Sequence, residues 1–417
     1  MEDLFPRCFF DALCNLHLHI TPSHLYTSRM IPRTLEPILR ERATQYPIIT
    51  LTGPRQSGKT TLCRMAFPEK PYVNMESPDV REFARTDPRG FLSTYPEGAI
   101  FDEIQRVPEL VSYLQPMVDE DPRPGRFILT GSQQFEVMTT INQSLAGRTT
   151  LLKLLPLSIE ELTGAGITSS IDRQLLTGFY PRIYDAELDP TTALGDYVQT
   201  YVERDIRQLI AIKDLSLFEK FVRLCAGRVG QLLNLQSLGN DVGISHTTAR
   251  NWLTLLEASY IVFLLQPWHT NVSKRQIKSP KLYFYDVGLA AWLLGAENET
   301  HINRHPLKGN LFENLTVIEA LKYRYNRGKR SNLYFWRDAK GNEVDLLLEQ
   351  GPDITAVEIK AGATISNDWL IGLHRFADKL ASPPKTSALI YGGTEQQRRS
   401  GISIWRVTDV AKMLTEM

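Results

Sequence analysis

Lys59 and Thr60 close the octet Gly53-Pro54-Arg55-Gln56-Ser57-Gly58-Lys59-Thr60, and the chemistry this spacing serves is the holding of phosphate groups. Glycines at either end let backbone N–H groups converge on phosphate oxygens, and a following helix N-terminus adds partial positive charge. Lys59 is expected to reach the β- and γ-phosphates, Thr60 to place its hydroxyl on Mg²⁺, and Thr61 to extend the cradle. The apolar run Ala99-Ile100-Phe101-Asp102-Glu103-Ile104 supplies two carboxylates. Asp102 is placed to hold Mg²⁺ through water, and Glu103 to polarise an attacking water. A third run, residues 126–133, ends in small hydroxyl groups, of which Thr130 or Ser132 could sense the γ-phosphate or orient that water. Arg148, behind the small-residue turn Ser144-Leu145-Ala146-Gly147, is either a surface arginine or a finger that stabilises charge in a neighbouring subunit's site. Together these residues predict binding of ATP with Mg²⁺, and ATP hydrolysis.

Each of these groups needs a strand end to hold it. Residues 46–52 read as the strand before the glycine loop, and Thr61-Leu62-Cys63-Arg64-Met65-Ala66 continues as a helix. That order of strand, loop and helix is the context in which such a loop binds phosphate. The predicted class is α/β. Residues 151–158 read as a last core strand and its exit.

At this point the chain resembles AAA-type P-loop ATPases of bacteria and archaea, in a group whose C-terminal region is labelled a domain of unknown function. The resemblance rests on Gly53–Leu62, Ala99–Gln105, Ile128–Gln133 and Ser144–Arg148. It continues through Gly178-Phe179-Tyr180-Pro181, Tyr201–Ile206, Ser273-Lys274-Arg275, Lys278–Asp286 and Phe312-Glu313-Asn314. It implies an ATPase core without a settled biological role. One departure stands out: such proteins show a second glycine where this chain has Phe179, so the turn geometry there should differ.

With 417 residues the chain suggests two or three domains, each able to bury a core. A formal net charge of zero excludes an argument for nucleic-acid binding from overall basicity, so any such role must rest on local patches. Cys8, Cys14, Cys63 and Cys225 are too scattered for a disulfide framework, which points to a reducing cytoplasm. Within residues 1–29, the run Cys8–Ile20 is apolar but interrupted by Asp11, Asn15 and two histidines, too short and broken for a membrane span and unlike a signal peptide. Cys8, Cys14, His17 and His19 match no familiar zinc spacing, so this segment reads as an extension, with Met30 as a possible start.

After the ATPase core (residues 30–160) comes a helical, lid-like region (161–230). There Tyr197, Val198, Tyr201, Val202, Ile206, Leu209 and Ile210 recur at helical spacing, predicting a helix from Asp196 to Ile212. Arg204 and Arg207 on it read as solvated charge or as phosphate sensors. A helix-turn-helix pattern follows within residues 231–300: Leu232–Val242, a turn at Gly243-Ile244-Ser245, then a helix opening with His246-Thr247-Thr248-Ala249-Arg250. Ser245 is a good N-cap, Ala249 is small where the two helices cross, and His246, Thr247 and Arg250 stand where this motif meets base edges. Residues 260–265 and 281–285 read as two strands of a wing, with Lys274, Arg275, Lys278 and Lys281 as a phosphate-contacting loop. A winged helix can equally pack only against protein.

Residues 301–417 carry a second candidate site. A helix through Phe312-Glu313-Asn314, strands at 332–336, 343–348 and 355–360, a helix at 370–380 and a strand at 387–391 give the order αβββαβ, which resembles the PD-(D/E)XK nuclease core. Alternate residues of a strand share a face, so Glu358 and Lys360 flank one site. Asp345 and Glu358 could bind Mg²⁺, Lys360 could activate water, and Glu313 is a further carboxylate. The same fold also serves as an inactive binding module. Lys329 and Arg330 end the basic, aromatic run Lys322–Arg330, which reads either as suited to a nucleic-acid backbone or as only a charged turn. Two readings of the whole chain follow. One is an oligomeric, DNA-acting ATPase. The other is an ATP-controlled interaction switch with an unidentified protein partner.

Overall fold

The computed structural model describes residues 30–132, 145–206, 214–269, 279–380 and 383–417, with residues 203–206 as backbone only. Gln133, Ser144, Arg207, Ser273, Lys274, Arg275, Lys278 and the Cys8, Cys14, His17 and His19 group lie outside the described residues, as does the side chain of Arg204.

Continuous apolar runs bounded by turns suit strands buried on both faces. The first sheet bears this out. Its strands are β1 (Ile48–Thr52), β2 (Tyr72–Asn74), β3 (Ile100–Asp102), β4 (Phe127–Gly131) and β5 (Thr149–Lys153), all parallel, in the order β2-β3-β4-β1-β5. Helices cover both faces. Ile48, Phe101, Phe127 and Leu129 pack on one side, and Ile49, Leu51, Leu62, Ile128 and Leu152 on the other. Because every strand runs the same way, the loops after β1, β3 and β4 leave one edge together. That edge carries Gly53–Thr60, Asp102, Glu103 and Ser132.

The predicted Asp196–Ile212 helix begins earlier. Asp189 accepts a hydrogen bond from the Thr192 backbone N–H, Pro190 takes the first helical position, and the α-helix Pro190–Tyr197 passes into π-helical winding over Val198–Ile206. Helices Leu215–Ala226, Leu235–Val242 and His246–Ala258 follow, then the antiparallel pair β6 (Val262–Leu265) and β7 (Lys281–Phe284). The expected turn chemistry is present: Gly243 has φ 95°, and the Ser245 hydroxyl accepts from the Thr248 N–H.

The C-terminal region has helix Lys308–Asn326, β8 (Leu333–Arg337), β9 (Glu343–Gln350), β10 (Asp353–Lys360), helix Ile371–Ala377 and β11 (Thr386–Tyr391), the αβββαβ order read from the sequence. Two further strands, β12 (Gln397–Arg399) and β13 (Ile402–Arg406), complete a mixed sheet in the order β12-β13-β11-β10-β9-β8.

The regions after β5 share one large core, while Trp336, Val344, Leu347, Phe376 and Leu389 form a second one on the other face of the C-terminal sheet. Leu155, Phe179, Tyr201, Phe218, Leu256, Tyr283, Phe312 and Leu346 belong to one buried cluster. Helix Lys308–Asn326 threads it, with every residue from Asn314 to Lys322 buried. This corrects the reading of Lys322–Arg330 as one nucleic-acid surface. Lys322 is wholly buried, donates to Leu157 O (2.7 Å) and Glu319 (2.8 Å), and lies 3.8 Å from the Phe179 ring centroid. Arg327 pairs with Glu160, and Asn326 is buried. Only Lys329 and Arg330 of that run are exposed. Phe179 keeps an ordinary backbone conformation, while Gly178 takes φ 65° and has no room for a side chain against Asp286. Asp286 accepts from the Phe179 N–H at 2.7 Å. Among the described residues no helix is long and apolar enough to cross a membrane.

Candidate functional site

The glycine loop sits where β1 meets β5. A side chain at Gly53 would collide with Leu154 O, so only glycine permits this close approach. Lys59 is buried and donates to Gly53 O (3.0 Å) and Pro54 O (2.7 Å), resting across its own loop. Ser57 Oγ is buried with no hydrogen-bond partner. Thr60 Oγ1 lies 2.9 Å from Asp102 Oδ2 and 3.1 Å from Oδ1. Tyr72 donates to the same carboxylate at 2.7 Å, as does Thr130. Thr130 therefore holds Asp102 and, through the Glu103 N–H, the start of the next turn (3.2 Å).

Glu103 itself sits at φ 57°, an uncommon conformation for a glutamate, which turns its side chain toward Ser132. Ser132 Oγ donates to Glu103 Oε2 at 2.8 Å, and Gln105 donates to the same oxygen. Burial opposes the charge of Glu103, yet Lys59, Gln105 and Ser132 outweigh it and hold the carboxyl below its ordinary range. It is thus ionised at neutral pH, as a group that polarises water must be. Burial also lowers the pKa of Lys59, against the pull of Glu103 and Asp102.

Beside these groups opens a cavity of about 420 Å³, lined by Lys59, Thr60, Glu103, Arg182, Asp185 and Tyr201 among others. Arg182, Asp185 and Tyr201 come from the helical region after β5, with the Arg55 guanidinium 5.2 Å from the Tyr201 ring centroid. A smaller apolar recess adjoins it, where Ile31, Leu157 and Pro181 meet Gly58 and Thr61. Arg33 ties this corner together: it donates to Ser57 O (2.6 Å) and Leu155 O (2.7 Å) and pairs with the buried Glu161 (3.1 Å). Sequence reasoning assigned no role to Arg33, Tyr72, Gln105, Glu161, Arg182 or Asp185. The segment holding Pro181 was marked by resemblance alone, and that holding Arg33 carried no local signal, because their partners are remote in the chain.

The oxygen donors of Thr60 and Asp102, with the unpartnered Ser57 hydroxyl and the lysine on the loop, fit a hard divalent cation and a phosphate chain. Arg148 lies at the opposite end of β5 from its own glycine loop, where it makes a bidentate pair with Asp119 (2.5 and 2.8 Å). It does not line its own chain's cavity.

In the C-terminal sheet, β9 and β10 bring Asp345, Glu358 and Lys360 together as the alternation predicts. Lys360 Nζ lies 2.5 Å from Glu358 Oε1 and 3.5 Å from Asp345 Oδ2, which also accepts from the Ile359 N–H (2.8 Å). Glu358 Oε2 is buried with no partner. Burial and the Asp345 charge push the Glu358 carboxyl up to about 8. The same two causes push Glu313 up to about 7. Hard oxygen donors, one of them orphaned, fit a divalent cation, with Asp345 and Glu358 as the groups to hold it.

Lys281 requires a correction. It begins β7, as the strand reading of 281–285 has it, but instead of reaching out to phosphate it is 3% exposed and enters this carboxylate group. It bonds Glu313 Oε1 (2.8 Å), pairs with Glu343, and lies 4.0 Å from Asp345 Oδ1. Tyr283 donates to the same Glu313 oxygen at 2.5 Å. At the helix-turn-helix, Thr247 and Arg250 are exposed and His246 half-buried.

Comparison with known proteins divides the chain in three. Residues 45–163 match an AAA domain, residues 168–300 a domain of unknown function (DUF8612), and residues 308–411 another (DUF4143). Uncharacterized protein Rv2008c of Mycobacterium tuberculosis and Mb2031c of Mycobacterium bovis are each 32% identical over 331 residues, 79% of this chain and 73% of theirs. Among solved structures, the Walker-type ATPase PABY2304 of Pyrococcus abyssi aligns with 63% of this chain and 96% of its own at 16% identity and a TM-score of 0.44, a likeness too distant to bear on function. The loop, the paired carboxylates and the matching domain agree: the chain carries an AAA-type P-loop ATPase domain, and it belongs to the same family as these two mycobacterial proteins.

Proposed function

We propose that this protein is a Mg²⁺-dependent ATPase that acts on DNA through its helix-turn-helix and C-terminal sheet. The observation that supports the ATPase chemistry is the gathering of Thr60, Asp102, Glu103 and Ser132 at one strand edge, with the Ser132 hydroxyl bonded to Glu103. Lys59 leaves the loop carbonyls to meet the β- and γ-phosphates, and Thr60 and Asp102 hold the cation. Bound Mg²⁺ supplies charge neutralisation on the phosphates. Glu103 polarises the attacking water, which Ser132 helps to orient. Arg148, remote from its own site, is supplied to a neighbouring subunit in a homo-oligomer.

The helices Leu235–Val242 and His246–Ala258 with the β6–β7 pair form a winged helix in this reading. His246, Thr247 and Arg250 meet base edges, with Lys329, Arg330, Lys274, Arg275 and Lys278 on the backbone. Asp345, Glu358 and Lys360 form a nuclease-like site. A second reading, an ATP-controlled protein-interaction switch with an inactive nuclease-like domain, is favoured by one observation: the Lys281 ammonium lies among the carboxylates. ATP turnover of the purified protein with and without single-stranded, duplex and branched DNA separates the two. Stimulation by DNA, with binding that weakens steeply with salt, supports the first. Turnover indifferent to all three, with no DNA affinity, supports the second.

A further inference from the structure

Four carboxylates from three elements, Glu313, Glu343, Asp345 and Glu358, gather at one end of the C-terminal sheet with two ammonium groups among them. The two lysines are not equivalent. The Lys360 side chain is 32% exposed and stands at the mouth. The Lys281 side chain is 4% exposed and comes from a different region, on β7 beneath the helix-turn-helix. Its ammonium bonds Glu313, pairs with Glu343 and sits 4.0 Å from Asp345. Carboxylates this close cannot all stay ionised in a poorly hydrated site without a cation between them.

We infer that Lys281 is the resident counter-cation of the C-terminal carboxylate site, and that a divalent ion reaching Asp345 and Glu358 is opposed by its charge. The inference rests on the reading of Asp345 and Glu358 as cation ligands, but not on cleavage of DNA. The orphaned Glu358 Oε2 shows that the site has donor capacity Lys281 does not use. Lys281 fills the part of the cluster bounded by Glu313 and Glu343, whereas Glu358 is paired with Lys360 at the mouth and keeps only its Oε2 unpartnered. Its effect is therefore graded: it weakens cation binding without abolishing it.

The experiment uses the full chain and Mn²⁺ as probe, followed by electron paramagnetic resonance and by thermal unfolding with and without the ion. The nucleotide-site Mn²⁺ is removed from the count by working without ATP and in a Thr60→Ala background. K281M removes the charge. K281Q removes it while keeping donors for Glu313 and Glu343, and K281R keeps it. Mn²⁺ affinity should rise at least about tenfold in K281M and K281Q, the scale of losing a like charge beside a divalent ion. K281R should stay at the parental level, and Glu358→Gln should cancel the gain. Unchanged or weaker Mn²⁺ binding in a folded K281M or K281Q overturns the inference. So does loss of fold in both that Mn²⁺ fails to restore, because Lys281 is then structural only. Parallel DNA-cleavage assays keep the two ideas apart: tighter Mn²⁺ binding without cleavage sinks the nuclease reading and leaves the role of Lys281 standing.

Discussion

Replacing Lys322 by methionine should cost about 3–5 kcal/mol, the scale of breaking one partner out of a buried ion pair. The figure follows from the surroundings. Lys322 Nζ and Glu319 Oε1 are 2.8 Å apart with side-chain exposures of 0% and 5%. At that distance and an effective dielectric constant of about 20, the attraction is about 6 kcal/mol, most of it offset by lost hydration. Methionine keeps the length and packing of the stem but leaves the Glu319 carboxylate unpaired, Leu157 O without its donor, and the Phe179 ring without its cation. Glu319 also accepts from the Ile159 N–H at 2.8 Å, so its strain is felt at the exit of the ATPase sheet. Adding Glu319→Gln removes the stranded charge while keeping an acceptor for Ile159, and the double variant should recover all but about 1–2 kcal/mol. Urea unfolding and hydrogen exchange at the Ile159 amide measure both. A K322M cost below about 1 kcal/mol, or a double variant no better than the single one, would refute the reasoning.

Lys59→Ala should abolish tight nucleotide binding, whereas Glu103→Gln should keep it and lower turnover by about two to four orders of magnitude; unchanged turnover in the latter removes Glu103 from catalysis. If Arg148 serves a neighbour, specific activity should rise with protein concentration, and mixing Arg148→Ala with Lys59→Ala subunits should restore part of it; full activity in a demonstrated monomer excludes this. Metal-dependent cleavage of DNA should vanish in each of Asp345→Ala, Glu358→Ala and Lys360→Ala with ATP binding intact, and absence of cleavage in the parent with Mg²⁺ or Mn²⁺ would leave the sheet a binding module. Burial raises the Glu257 carboxyl from 4.5 to about 7. The folded state thus binds the extra proton, and this contribution is present below pH 4.5 and lost as pH rises toward about 7. Glu257→Gln should flatten that fall, by about 1–3 kcal/mol at pH 8 after allowing for partial exposure; an unaltered pH profile of stability would discount the burial argument.

The nucleotide site was legible because its parts are contiguous. The loop, Asp102-Glu103 and Thr130 to Ser132 each lie in a short run whose type and order carry the meaning, and a parallel sheet brings such runs to one edge. The same holds for Glu358 and Lys360, which strand alternation places on one side, while Asp345 joins them through the register of the neighbouring strand. What was not legible is long-range. Arg33 and Glu161 are 128 residues apart, and neither has a local signal. Lys322 and Lys281 looked like solvent-facing cations because lysine usually is one, and only the tertiary fold shows each facing a carboxylate. Helix Lys308–Asn326 gave no polar face to assign, since consecutive residues from Asn314 to Lys322 are all enclosed.

The short β6–β7 pair has its two ends in different neighbourhoods. Tyr260, just before β6, donates its hydroxyl to Thr52 Oγ1 at 2.8 Å, one residue ahead of Gly53. The far end carries Lys281, paired in register with Leu265. From Tyr260 to Leu265 there are five residue steps, about 16 Å of backbone, the last three of them within β6. The phosphate loop and the carboxylate cluster are therefore in mechanical series: a sliding of the pair along its axis must either carry both ends or break the Tyr260 contact, so mutations at Thr52 and at Lys281 belong in one double-mutant cycle although their chemistries have nothing in common.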